Sequence, residues 1–150
     1  MKKLSLVVMT LSLLMIAGAT TIKAQVSDLI VADIPFDFTV GKTTLPAGKY
    51  AIKSLGATLE GTLEIRGEDN NRAVFFLAES AQAKEDPKHT ELIFDRVGDQ
   101  YFLTRIFEQG DKYGAGVEKS RAEKRLEKEG AVIEVRTVTV PDQNSTNAMN

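Results

Sequence analysis

The chain has 150 residues, of which 43% are hydrophobic, 19 basic, 21 acidic and none cysteine. That size suits one domain with a core of its own. The missing cysteines exclude disulfides, thiolate metal sites and thiol chemistry, and the mild acidity argues against nucleic acid or anionic lipid as partner, since both need a basic footprint.

The chain begins with a short positive segment, Lys2 and Lys3, and an apolar run from Leu4 to Ala19 broken by Ser5, Thr10, Ser12 and Gly18. Small residues then precede the first polar stretch. This is the layout of a secretory signal peptide over residues 1–24. The run is near the lower limit for a membrane span and is interrupted by hydroxyls and glycine, so no stable span is expected after cleavage. Cleavage after Ala19 follows the small-x-small triplet Ala17-Gly18-Ala19, and cleavage after Ala24 leaves Gln25 first. The second cut removes three lysines and leaves 16 basic against 21 acidic residues, a net charge of −5. The expected destination is the periplasm or the extracellular space.

From residue 25 to 140 the apolar pattern repeats every second residue, which is the signature of half-buried strands. Ile30, Ala32, Ile34, Phe36, Phe38 and Val40 share one face of the clearest run, and Pro35 within it implies an edge or a bulge. Gly41 to Gly48 reads as a connection, and Lys49 to Leu55 as a short strand. Thr58 to Arg66 alternates again, with Leu59, Leu63 and Ile65 on one face and Glu60, Thr62 and Glu64 on the other. Gly67 to Asn71 is turn chemistry. Ala73 to Ala78 is continuously apolar and predicts a strand buried on both faces.

Glu91 to Val97 and Gln100 to Glu108 flank Gly98-Asp99, a favoured two-residue hairpin turn. An undisturbed register sets Arg96 opposite Tyr101, Phe94 opposite Leu103 and Leu92 opposite Arg105. Both faces of this hairpin are apolar, so both need cover. Gln109 to Gly116 reads as a glycine-rich loop. Ser120-Arg121-Ala122-Glu123 is a capping box, opening a helix to about Glu129 that Gly130 stops, with Ala122 and Leu126 as its apolar stripe. Ala131 to Val140 is a last strand, and the polar tail 141–150 reads as disordered. The expected fold is all-β: a single antiparallel β-sandwich or small β-barrel of about seven strands, with one short helix in the C-terminal half.

Four phrases stand out together: Ile34-Pro35-Phe36-Asp37-Phe38-Thr39-Val40-Gly41, Leu45-Pro46-Ala47-Gly48-Lys49-Tyr50, the segment Phe94 to Leu103, and Lys119-Ser120-Arg121-Ala122-Glu123. In this order they resemble a group of small, exported, uncharacterised β-rich bacterial proteins. The resemblance implies an exported β-rich domain and brings no catalytic residues with it.

Chemistry is sparse along the chain. His89 is the single histidine and sits in a polar loop without an orienting partner. Asp33 and Asp37, four apart on one strand, lie about 13 Å from each other, too far for a glycosidase pair along that strand. Glu68 to Asn71 offers oxygens but lacks the spaced ligands of a calcium loop. Gly110, Gly114 and Gly116 around Tyr113 do not form a phosphate loop. The run Lys119 to Glu129 balances both signs and reads as a solvated face. No metal or cofactor motif emerges. The group with most promise is Arg96, Tyr101 and Arg105 on one hairpin face, joined by exposed Tyr113, since arginine and tyrosine are enriched where surfaces bind.

The reading is an exported, non-catalytic binding or structural module of the bacterial cell envelope, whose partner is a protein or envelope component. One alternative is a small β-barrel carrier of an apolar ligand, motivated by Phe75, Phe76, Phe94, Phe102 and Phe107. Another is a glycan hydrolase built from Asp33, Asp37, Asp95 and Asp99, which would have to converge in a cleft. The long first and last strands also raise pairing with a second chain at their edges.

Overall fold

The computed structural model describes residues 29–56 and 61–141. The signal segment 1–24 with its cleavage sites, residues Leu59 and Glu60, and the tail from 142 onward lie outside the described residues. The elements in chain order are β1 (Ile30–Ile34), β2 (Phe38–Val40), β3 (Thr43–Leu45), β4 (Gly48–Ser54), β5 (Thr62–Gly67), β6 (Ala73–Gln82), β7 (Thr90–Val97), β8 (Gln100–Phe107), β9 (Tyr113–Val117), α1 (Arg121–Lys128) and β10 (Ile133–Val140). The fold is all-β with one short helix near its C-terminal end.

Among the described residues there are ten strands rather than about seven. Pro35 has no N–H for a ladder, and the first apolar run breaks there into β1 and β2. The segment read as a connection folds back as β3, because Gly41 takes φ +57° and turns the chain sharply into a β2–β3 hairpin. The glycine-rich segment is β9. A Cβ on Gly114 would collide with the Ile106 carbonyl oxygen and approach Phe107 Cδ1 to 2.5 Å. Glycine at 114 is therefore what lets β9 lie flat against β8.

The hydrogen-bonded path runs β1-β4-β5-β6-β9-β8 and divides at β8. One branch continues through β7 to β10, antiparallel throughout. The other carries the β2–β3 hairpin, joined to β8 in parallel through Thr39 and Phe102. β6 bridges two halves of the sheet: its first half pairs with β5 and its second with β9. The sheet curls until β1 and β10 lie side by side, with no ladder recorded between them. The first strand, expected to be long, has only five residues, and it lies beside the eight-residue last strand along the seam.

The inner face is one apolar cluster drawn from almost every strand, including Ile34, Phe38, Tyr50, Ile52, Ile65, Leu92, Phe94 and Ile106. Four ring contacts organise it. Phe38 meets Tyr50 and Phe94 edge to face, with centroids 5.1 and 5.6 Å apart. Phe36 meets Phe94 edge to face at 5.1 Å and stacks on Tyr101 at 3.9 Å. The buried Tyr50 hydroxyl donates to the Pro46 carbonyl at 2.6 Å and accepts from Asn70 Nδ2 at 3.2 Å, so its polar end is satisfied.

Three expectations about faces are corrected. β6 is not buried on both sides: Phe75 is 57% and Leu77 71% exposed, because only Val74, Phe76 and Ala78 turn toward the core. Glu64, assigned to the outward face of its strand, is buried all the same. It is covered by cross-strand Lys53, whose Nζ lies 3.1 Å away, and by Arg66, whose Nε donates to it at 2.8 Å. Burial alone would raise the Glu64 pKa, but the hydrogen bonds and charges of Lys53 and Arg66 outweigh it and hold the group below its ordinary value. Finally, α1 does not present an Ala122/Leu126 stripe to the sheet. Ala122 is exposed, and the buried position of the helix is Glu123.

Candidate functional site

The residues with unexplained chemistry gather on the outer face of β7 and β8, where α1 lies against the sheet. The β7–β8 hairpin forms as expected around Gly98, which takes φ +61° at the two-residue turn. Its register holds for Arg96–Tyr101 and Phe94–Leu103, and then shifts. Thr104 is an extra residue, and its hydroxyl donates to the Ile93 carbonyl at 3.1 Å. Beyond this bulge Leu92 pairs with Ile106 and Ile93 with Arg105, so the expected Leu92–Arg105 pair is replaced.

One consequence is that the expected patch is divided. Arg96 and Tyr101 stay together, with the guanidinium carbon 5.8 Å from the ring centroid. Their remaining contacts are structural: Tyr101 stacks on Phe36, and Arg96 pairs with Glu134 at 3.2 Å and with Asp99 at 3.7 Å. Arg105 is turned to the opposite face by the bulge, next to Gly116 of β9. Tyr113 begins β9, is 37% exposed and has the Lys112 ammonium 5.4 Å from its ring. These four residues do not form one surface.

Arg105 lines two grooves on the outer face. One is shared with Asp95, Thr104, Glu79, Glu118 and Lys119. The other is shared with Ile93, Phe107, Pro87 and Val135. The outer row of β10 flanks the second groove, and there Ile133 is 41% and Val135 59% exposed, with the preceding Val132 at 77%.

Under α1 the structure brings together three carboxylates that sequence reading kept apart. Asp95 of β7 and Glu123 and Glu127 of α1 each place an oxygen within 4.8 Å of the other two. The capping box fixes the helix here, since Ser120 Oγ accepts the Glu123 N–H at 3.0 Å. Glu123 and Glu127 are one turn apart and therefore share the sheet-facing side. Lys119 reaches in from the preceding loop. Its ammonium is hydrogen-bonded to Glu127 and 3.9 Å from Glu123 Oε1. The Glu123 side chain is 3% exposed, and Oε1 has no hydrogen-bond partner. Burial raises the Glu123 pKa above the ordinary range; Lys119 opposes this and Asp95 adds to it. The Glu127 hydrogen bond raises the Lys119 pKa in turn. The i,i+4 spacing of Glu123 and Glu127 was visible in the sequence. Their convergence with Asp95 depends on where α1 docks, which no local pattern encodes.

The four aspartates of the hydrolase alternative do not join this cluster as a set. Asp33 and Asp37 are exposed, the latter accepting the Ala47 N–H at 2.9 Å, and Asp99 sits at the tip of the hairpin turn. Only Asp95 is buried and belongs to the group under the helix. His89 is an exposed loop residue. No helix among the described residues is long and apolar enough to cross a membrane. Comparison with known proteins gives no matching family model, and no curated protein or solved structure matches the chain either.

Proposed function

We propose that the protein is an exported, non-catalytic binding module of the bacterial cell envelope, and that it holds a protein partner on the outer face of β10. The observation that carries this reading is the outward pair Ile133 and Val135 of β10, exposed at 41 and 59%, with Val132 just before the strand at 77%. Contiguous apolar side chains left in water mark surfaces that another macromolecule covers. The adjacent groove, with Ile93 and Phe107 in its lining and Lys84, Arg105, Glu85, Asp86 and Glu91 around them, adds charges of both signs to an apolar floor, a mix suited to protein recognition. Phe38, Tyr50 and Phe94 fill the interior in which a carrier barrel would hold its ligand, which favours the surface over the interior. The leader-like segment 1–24 and the resemblance to exported bacterial proteins support the location.

The test is partner capture from the envelope fraction of the host, wild type against the double variant Ile133→Thr, Val135→Thr. The expected result is a stoichiometric partner that the variant loses while its unfolding midpoint stays unchanged. A purified protein that turns over a substrate, and stops doing so on a single polar substitution, would overturn the reading. An apolar small molecule retained in native mass spectra would move the function to the carrier.

A further inference from the structure

We propose that Asp95, Glu123 and Glu127 form a binding site for a hard divalent cation, calcium by chemistry, and that the Lys119 ammonium holds the ion's place in its absence. The site is independent of the β10 strip.

The argument starts from charge. Three carboxylates stand within 4.8 Å of one another and face one ammonium. A cluster of that kind is under-neutralised, and burial makes the imbalance costly because a desolvated charge needs a partner. Glu123 is where the imbalance shows. It is almost wholly buried, it faces Lys119 across 3.9 Å, and Oε1 accepts no hydrogen bond. A buried acceptor without a donor is rare in folded proteins and calls for a ligand or a proton.

The donor set narrows the ligand. It is all oxygen and all carboxylate, with no histidine or cysteine, which suits calcium or magnesium and not zinc or copper. Two of the carboxylates sit a turn apart on a capped helix and the third on an interior strand. They are held by the framework, not by a mobile loop. A groove lined by Asp95, Thr104 and Lys119 reaches the Asp95 side of the cluster, where waters would complete the coordination of calcium. Lys119 is the removable part. Its side chain is 40% exposed on the loop before α1, so it can leave for water when an ion replaces its charge.

The experiment is calorimetric titration of metal-stripped protein with CaCl2, and MgCl2 for comparison, with thermal unfolding alongside. The expected dissociation constant for calcium is on the order of 10⁻⁴–10⁻³ M, the range of extracellular modules, with a rise in unfolding midpoint at saturation. Glu123→Gln is expected to abolish both effects. Lys119→Gln is expected to tighten calcium binding roughly threefold or more by removing the resident cation, and to lower the unfolding midpoint of the metal-free protein while calcium restores it. A wild-type titration without heat or midpoint shift up to about 10 mM calcium, well above that range, would overturn the proposal. So would binding unchanged by Glu123→Gln, which would put the ion elsewhere on the acidic surface, or Lys119→Gln binding no tighter than wild type.

Discussion

The Thr104 hydroxyl donates to the Ile93 carbonyl across 3.1 Å, and both residues are buried on the β7–β8 hairpin. The contact lies at the register shift that turns Arg105 outward. Thr104→Val keeps the branched shape and removes the donor. Its expected cost is about 1–2 kcal/mol, the range for a buried hydrogen bond that leaves its acceptor unpaired, read from urea unfolding. A variant as stable as wild type would mean that the bulge needs no side-chain support.

Two neighbouring glycines of β9 should answer differently to the same change. Gly114→Ala drives a methyl group into the Ile106 carbonyl and the Phe107 ring, and is expected to lose about 1–3 kcal/mol or more. At Gly116 the nearest atoms to an added Cβ are 3.5–3.8 Å away, an ordinary contact. Gly116→Ala is expected to stay within about 0.5 kcal/mol of wild type. Equal losses at both positions would show that glycine serves β9 through backbone conformation and not through close approach.

Two buried glutamates give opposite pH dependences. Glu64 is held below its ordinary 4.5 in the folded protein. Its stabilisation is complete above 4.5 and is lost as pH falls through the lowered value. Glu123 is held above 4.5. The folded state then keeps a proton that the unfolded state releases, so its contribution is complete below 4.5 and is lost as pH rises through the raised value. With metal removed, urea midpoints from about pH 3 to about pH 8 should show Glu64→Gln less stable than wild type at neutral pH, and Glu123→Gln more stable. The same sign for both variants would contradict the environments described for them.

Tyr50 is the largest fully buried side chain of the core, and its hydroxyl links the Pro46 carbonyl to the Asn70 amide. Tyr50→Phe keeps the ring contact with Phe38 and removes that link. The expected loss is about 1–2 kcal/mol, measured by denaturant unfolding, with the turn at Gly67 to Asn71 becoming more open to hydrogen exchange.

Much of the fold was legible because its period-two code is local. The alternation from Ile30 to Val40, the Gly98-Asp99 turn and the Ser120–Glu123 cap are each read within a few residues, and each formed. The misreadings share a different cause. A six-residue apolar run over Ala73 to Ala78 looks the same whether one or both faces are covered, and the cover of Phe75 and Leu77 depends on elements remote in the chain. The glycines of β9 resemble a loop until Ile106 is seen beside Gly114. A single extra residue, Thr104, reverses every later side chain of β8 and so divides Arg105 from Arg96. The acid cluster was hidden for the same reason: Asp95 and Glu123 meet only through tertiary docking.

The seam between β1 and β10 has a consequence for how the molecule comes into being. The strands that meet there are separated by about a hundred residues, so the roll cannot shut until its last strand has been delivered. Contacts of such long range carry a large loop-closure entropy and slow the search for the native state, placing folding in the roughly millisecond-to-second range of non-local β proteins. On the export route proposed above that delay is useful, because β7 and β1 remain without their last neighbour until β10 has been delivered.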